Sequence, residues 1–162
     1  MCKFIAMVCA ALFATGFAQA QDSIDQAFAA EATAAGMTAI ALGRMADAKS
    51  SNVKVQTLAR DIARDHEAAN EELARLSGEK ELALPETVPA NKEQRGNEFD
   101  SLLPAEFDRR FLEAAIRDHA SEIALFEREA AAGADADLRD FARRMLPTLR
   151  GHLAAAQALQ SP

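Results

Sequence analysis

The stretch VKVQTLARDIARDHEAANEELARL, residues 53–76, decides the fold. Val55, Leu58, Ile62, His66, Ala69, Leu73 and Leu76 follow one another at steps of three or four, the period of one helical face. The opposite face carries Arg60, Asp61, Arg64, Glu67, Glu71 and Arg75, an alternation of charge suited to water. Ser50-Ser51-Asn52 supplies a start signal and Ser77-Gly78 a stop. A helix with one apolar stripe gains most of its stability by packing that stripe against partners. The rest of the chain should therefore contain those partners.

Three further stripes have the same period. Ile24, Phe28, Ala32, Ala35, Ala39, Leu42 and Ala46 mark a helix ending near Lys49, with Ser23 and Gln26 in the spacing of a capping box at its start. Phe107, Phe111, Leu112, Ala115, His119, Ile123, Phe126 and Ala130 mark another, opened by Pro104 and closed by Gly133. Leu138, Phe141, Met145, Leu149, His152, Ala156 and Leu159 mark the last, capped by Asp135 or Asp137 and expected to kink at Pro147. The segment from Gly78 to Asn91, with Pro85 and Pro89, reads as a connector, and Lys92 to Leu102 as a short helix. These features predict an all-α fold, a four-helix bundle of the ferritin-like kind with a long connector between its second and third helices. Fourteen extended residues reach roughly 45 Å, enough to cross such a bundle lengthwise. The length alone leaves a simple up-down hairpin equally open.

Composition agrees. The 162 residues are 49% hydrophobic and 27% charged, and 38 of them are alanine, so closely packed helices are expected and wholesale disorder is not. The formal net charge of −7 argues against a nucleic-acid partner. Residues 1–20 read as a secretory signal peptide. Lys3 is their only charge, Phe4 to Ala18 is nearly unbroken apolar sequence, and Ala18-Gln19-Ala20 is an A-x-A cleavage pattern. That run is too short to span a membrane, and the mature chain has no second one. Residues 21–162 would then form a single domain, periplasmic or secreted. Cys2 and Cys9 would leave with the signal, which excludes thiolate catalysis and cysteine-ligated zinc in the mature protein.

The histidines carry the one pointed chemical signal. His66, His119 and His152 each fall on the apolar stripe of a different helix. A stripe takes about a third of helix positions, so chance places all three there about 4% of the time. They also stand 15 residues after Ser51, Pro104 and Asp137 respectively, which matches their depths if the second and third helices run parallel. Three imidazoles at one level make a candidate site for a transition metal such as zinc, copper or iron. Glu122 is the best candidate fourth ligand, then Glu31. Asp65 and Asp118, directly before two of the histidines, point about 100° away and are expected to be outer or surface groups that the fold can do without. Met37 and Met145 read as core filling. The competing reading is a metal-free network of structural histidines, with the Arg143 carbonyl (freed by Pro147) and Glu122 as acceptors. The Glu-x-x-His pattern of di-iron bundles is missing, because Ala63 and Leu149 occupy the acid positions before His66 and His152. No P-loop, G-x-S-x-G, H-E-x-x-H or G-x-G-x-x-G is present.

Several strings together resemble a bacterial family known as domain of unknown function 4142. They are Ala63-Arg64-Asp65-His66 with Asn70-Glu71-Glu72-Leu73, Glu106-Phe107-Asp108 with Arg117-Asp118-His119, Leu146-Pro147-Thr148-Leu149 with His152, and Ala35-Gly36-Met37. The resemblance runs from about Ile24 to Leu159. It implies a ferritin-like helical bundle, often exported, sometimes labelled an outer-membrane protein, with no established biochemical role. One departure is that Thr38-Ala39-Ile40 follows Gly36-Met37, where relatives often carry an acid. Two functional classes follow: an exported metal-binding bundle, or a metal-free envelope module that binds a ligand or protein partner. Enzymatic activity ranks below both.

Overall fold

A computed structural model describes residues 8–90, 98–99 and 101–161, with side chains from residue 24 onward. Four helices build it: α1 Val8–Lys49, α2 Val53–Glu79, α3 Pro104–Ala132 and α4 Ala136–Gln160. Among the described residues no helix is long and apolar enough to cross a membrane. Most of the short helix expected over Lys92 to Leu102 lies outside the described residues.

The helix ends follow local chemistry, with two corrections. Asn52 caps α2 by accepting from the Lys54 amide at 3.0 Å. Asp135 caps α4 by accepting from Asp137 and Leu138. Ser23, however, starts nothing. It lies inside α1, which begins at Val8. Once a helix is nucleated in alanine-rich sequence, extending it costs little, and a single serine does not interrupt it. Gly78 does not end α2 either. The helix continues to Glu79, and the left-handed residue beyond it is Glu81, at φ 57°. The Leu82 amide then closes the turn on the Ser77 carbonyl at 2.9 Å. Pro147 stands on the exposed side of α4, which runs on through it.

The order of the helices is a crossover. Val55 at the start of α2 and Phe107 at the start of α3 share one apolar cluster, with Leu42, Phe111 and Ala156. Leu76 near the end of α2 and Phe126 on α3 share the other, with Phe28, Leu138 and Phe141. α2 and α3 therefore run parallel, and the connector returns the length of the bundle. α1 packs on α2 and α3, and α4 on the same two, so the parallel pairs lie on the diagonals. The connector is tied down at its start: the Gln26 side chain donates to the Ala83 carbonyl at 2.8 Å and accepts from its amide at 2.9 Å. Lys80, at the end of α2, pairs with Asp135 at 2.8 Å and Asp137 at 2.9 Å.

Two contacts make this packing specific. A Cβ on Gly43 would stand 2.7 Å from the Ala59 carbonyl oxygen and 3.2 Å from the Ala63 Cβ. Gly36 meets the Asn70 side chain of α2 in the same way. The two glycines, seven residues apart on one face, let α1 lie close against α2. At the far end of the bundle, Glu129 is wholly buried, and no donor reaches either of its oxygens. Asp25 lies beside it and accepts from the amides of Ala134 and Asp135 at 2.8 Å each. Burial first, then the charge of Asp25, push Glu129 from an ordinary 4.5 up to about 7.

Two outcomes follow. Gly43→Ala should destabilise the protein by about 1–3 kcal/mol, because the obstacle is backbone, although alanine normally gains about 1 kcal/mol over glycine in a helix. The urea midpoint reads this, and an unchanged midpoint would mean that α1 and α2 do not meet at Gly43. For Glu129 the folded chain keeps a proton that the unfolded chain gives up, so its contribution to stability falls between about pH 4.5 and pH 7 and stays lost above that. Glu129→Gln should therefore gain about 1–3 kcal/mol at pH 8 relative to its effect at pH 4. Equal effects at both pH values would show that Glu129 is not buried as a protonated carboxyl.

Candidate metal centre

The two apolar clusters stop short of each other. Between Ile62 and Ala69 on α2, Ala115 and Leu125 on α3, and Leu149 and Ala156 on α4 comes a layer built from His66, His119, Glu122 and His152. All four are buried. Parallel α2 and α3 bring His66 and His119 to one level across the diagonal, and α4 adds His152 from the corner between them. The ring centroids are 5.4 Å apart for His66–His119, 5.3 Å for His119–His152 and 5.9 Å for His66–His152.

Each ring is anchored on its outer side by a group that can only accept. His66 Nδ1–H donates to the Ile62 carbonyl at 2.8 Å. His119 Nδ1–H donates to the Ala115 carbonyl, also at 2.8 Å. His152 Nε2–H donates to Asp65 Oδ2 at 3.0 Å. These bonds assign the tautomers. With one proton per ring, the remaining lone pairs belong to His66 Nε2, His119 Nε2 and His152 Nδ1, and all three face inward. One ring nitrogen from each histidine lies within 4.8 Å of the others. His119 Nε2 is 3.3 Å from His152 Nδ1, and His66 Nε2 is 3.0 Å from Glu122 Oε2. Two ligand atoms about 2.1 Å from a common ion, at 90–110°, stand about 3.0–3.4 Å apart.

The electrostatics separate the rings. Burial, then repulsion from the other two histidines, holds His152 below the usual histidine range. Burial also holds His119 down, with His66 adding to it and Glu122 opposing. Burial disfavours charge on His66 as well, but the hydrogen bond and charge of Glu122 outweigh it and lift His66 above the usual value. Two rings are thus neutral and electron-rich at pH 7. The third is biased toward its protonated form by Glu122. Asp65 is held low: burial opposes its charge, but the Arg64 hydrogen bond at 2.9 Å and His152 prevail.

The residues singled out from sequence divide cleanly. His66, His119 and His152 meet, and Glu122 joins them. Glu31 does not. Its side chain is 62% exposed and lies 3.9 Å from Arg128 on the surface. Met145 packs against the Phe28–Phe141 cluster as core filling. Two acceptors differ from expectation. His152 takes Asp65 of α2, not the Arg143 carbonyl of its own helix, because its ring reaches across the α2–α4 seam. Glu122 bonds His66 across the bundle and not its helix neighbour His119, whose outer nitrogen is already satisfied one turn back. Asp65 is the outer group that its angle to the stripe predicts, and what sequence reasoning did not foresee is its partner, His152 of α4 rather than the adjacent His66.

On the α1 side the layer is not closed. A cavity of about 600 Å3 lies between α1 and α3, lined by Ala35, Thr38 and Ala39 on one wall and His119, Glu122 and Ala115 on the other. Glu31 and Arg128 border it, and Pro89 of the connector covers part of it.

Comparison with known proteins places this arrangement in a family. No curated protein matches the chain. Among solved structures, the crystal structure of a DUF305 fragment from Deinococcus radiodurans superimposes with a TM-score of 0.75 at 18% identity, covering 85% of this chain and 95% of that one. At that identity the likeness concerns the fold, a ferritin-like helical bundle. The model of the family described as "Domain of unknown function (DUF4142)" matches residues 12–159, nearly the whole length. The chain belongs to the DUF4142 family.

Proposed function

We propose that the protein is an exported metal-binding bundle that holds one transition-metal ion through His66, His119, His152 and Glu122. The observation that carries this reading is the polarity of the three rings. Each outer N–H is committed to a carbonyl or carboxylate, the inner nitrogens of His119 and His152 meet at 3.3 Å, and that of His66 meets Glu122 at 3.0 Å. Metal-ligating histidines show this pattern, because the outer acceptor fixes the tautomer and raises the basicity of the ligating nitrogen. A core network built only for stability would pair donors with acceptors throughout, as His66 with Glu122 does, but not His119 with His152. Here two lone pairs stand 3.3 Å apart in an apolar bundle, and a cation between them removes that repulsion. Three imidazoles and a carboxylate suit zinc, iron(II) or copper(II). The A-x-A pattern and the confinement of cysteine to residues 1–20 support export, with a mature chain starting at Gln21. In that compartment the bundle would sequester or deliver the ion.

The untagged protein from the periplasm should carry about one metal per chain by elemental analysis, and its intact mass should start at Gln21. Returning zinc to the stripped protein at a hundredfold excess over Kd should add about 2.7 kcal/mol of stability, roughly 8–10 °C in melting temperature. Replacing any one of the three histidines with Ala should remove that gain. Asp65→Asn should keep the fold but weaken affinity about 10–100-fold. A stripped protein whose melting temperature ignores zinc, copper and iron would falsify the metal reading.

The stripped protein has its own pH signature. His119 and His152 have lowered values, so their contribution is present above about pH 6.5, where the unfolded rings are neutral, and is lost as pH falls and the unfolded chain takes up protons. His66 has a raised value, so its contribution is present in acid and lost as pH rises through its folded value. His119 and His152 therefore favour pH 7.5, whereas His66 and Glu129 favour pH 5, so the rings are read from differences between variants. Relative to the parent protein, His66→Gln should shift stability toward pH 7.5, and His119→Gln toward pH 5. Denaturant midpoints at pH 5.0, 6.0 and 7.5 test the signs. Parallel curves for all three proteins would mean that the rings do not share one site.

A further inference from the structure

Four helices surround the histidine layer, but only three contribute to it. At that level α1 presents Ala35, Thr38 and Ala39, whose short side chains stop well before the ligand atoms, and the cavity of about 600 Å3 lies in the space they leave. This volume is in the range of small-molecule sites. The three histidines and Glu122 fill four positions, and a transition-metal ion can expand to a fifth only on a side that protein leaves uncovered. His119 and Glu122 form part of the cavity wall, so the ion between them and His152 would face this space.

We infer that the centre is open toward the α1–α3 cavity and takes a short-chain monocarboxylate there, its carboxylate on the ion and its alkyl tail along the cavity. This rests on the metal reading above. The class follows from charge and from the walls. A divalent ion with Glu122 leaves one positive charge in a buried layer, and a monoanion neutralises it, which a low-dielectric interior strongly favours. The nearby carboxylates do not supply that charge, since Asp65 pairs with Arg64 at 2.9 Å and Asp118 lies 3.4 Å from Arg117. The hydroxyls of the described walls are already committed. Thr38 gives its hydroxyl proton to the Ala34 carbonyl at 2.8 Å, and Ser121 gives its to the Arg117 carbonyl at 3.1 Å. Leu42, Phe111, Leu125 and the alanines make up the rest of the nearby lining. Arg128 stands at the rim, 62% exposed and 3.9 Å from Glu31, so among the described residues the buried anchor for a polar head is the ion, and the remainder of the ligand meets mostly apolar surface.

Cobalt(II) is the probe, because its visible spectrum reports coordination. The stripped protein is first loaded with one equivalent of cobalt and then titrated at pH 7 with acetate, butyrate, hexanoate and n-butylammonium. The carboxylates should change the spectrum, and butyrate should bind roughly tenfold tighter than acetate, from two further buried methylenes. The ammonium compound should do nothing. Ala35→Leu and Ala39→Leu, each filling the cavity from α1, should keep the cobalt spectrum and weaken butyrate at least about tenfold; either variant that still loads cobalt serves. The inference is overturned if loaded protein ignores all three carboxylates, if acetate and hexanoate bind equally, or if butyrate binding survives both leucines. Failure of the metal reading is seen earlier and separately, as cobalt that does not bind before any carboxylate is added.

Discussion

The constraint on which the rest of this structure depends is a polar layer in the middle of an apolar bundle. His66, His119, His152 and Glu122 are 2–7% exposed, with phenylalanine-rich packing on either side. Buried polar groups are costly unless each finds a partner. The outer nitrogens find theirs in the Ile62 and Ala115 carbonyls and in Asp65. Inside, a proton between His66 and Glu122 satisfies that pair, and the facing nitrogens of His119 and His152 are satisfied by a cation between them. The layer is thus held rigidly from outside and left electron-rich inside.

The crossover topology decides which neighbours meet in that layer. His66 and His119 stand near the middles of α2 and α3, so an antiparallel pair would also have brought them within about one turn of each other. The lengthwise connector makes them parallel, so His66 and His119, each about four turns in, come level. α4 runs against both and brings His152 to the same depth from the other end. The ties at the far end serve this register. Asp25 accepting from the α3–α4 turn, Gln26 holding Ala83, and Lys80 bridging to Asp135 and Asp137 all fix where the connector and the last helix begin.

Stripe and register were legible in the sequence because helical geometry has a fixed period and rise. Every stripe residue of α2 is buried, and the matched depths of the three histidines hold. What sequence could not give was partnership across helices. A stripe says which face turns inward, not which neighbour a long side chain reaches. Glu122 bonds the diagonal helix and Asp65 reaches over the α2–α4 seam, and both depend on helix rotation by a few tens of degrees. The start of α1 and the end of α2 escaped for another reason. Capping residues compete with simple continuation of the helix, which wins in the alanine-rich start of α1 and carries α2 one residue past Gly78.

The placement of α1 connects packing to chemistry. Gly36 and Gly43 let it sink against α2, with its backbone near Ala59 and Asn70, and its contact with α3 is correspondingly lighter. A helix drawn to one neighbour leaves a gap on its other side. Because Ala34, Ala35 and Ala39 face that gap, no long side chain fills it, and it becomes the cavity beside His119 and Glu122. An acid at position 38, 39 or 40 could have reached into this space and closed the layer from the fourth corner. Thr38 cannot: its hydroxyl is short and turned back to the Ala34 carbonyl. The same two glycines that tighten one helix pair thus keep the remaining side of the histidine layer open.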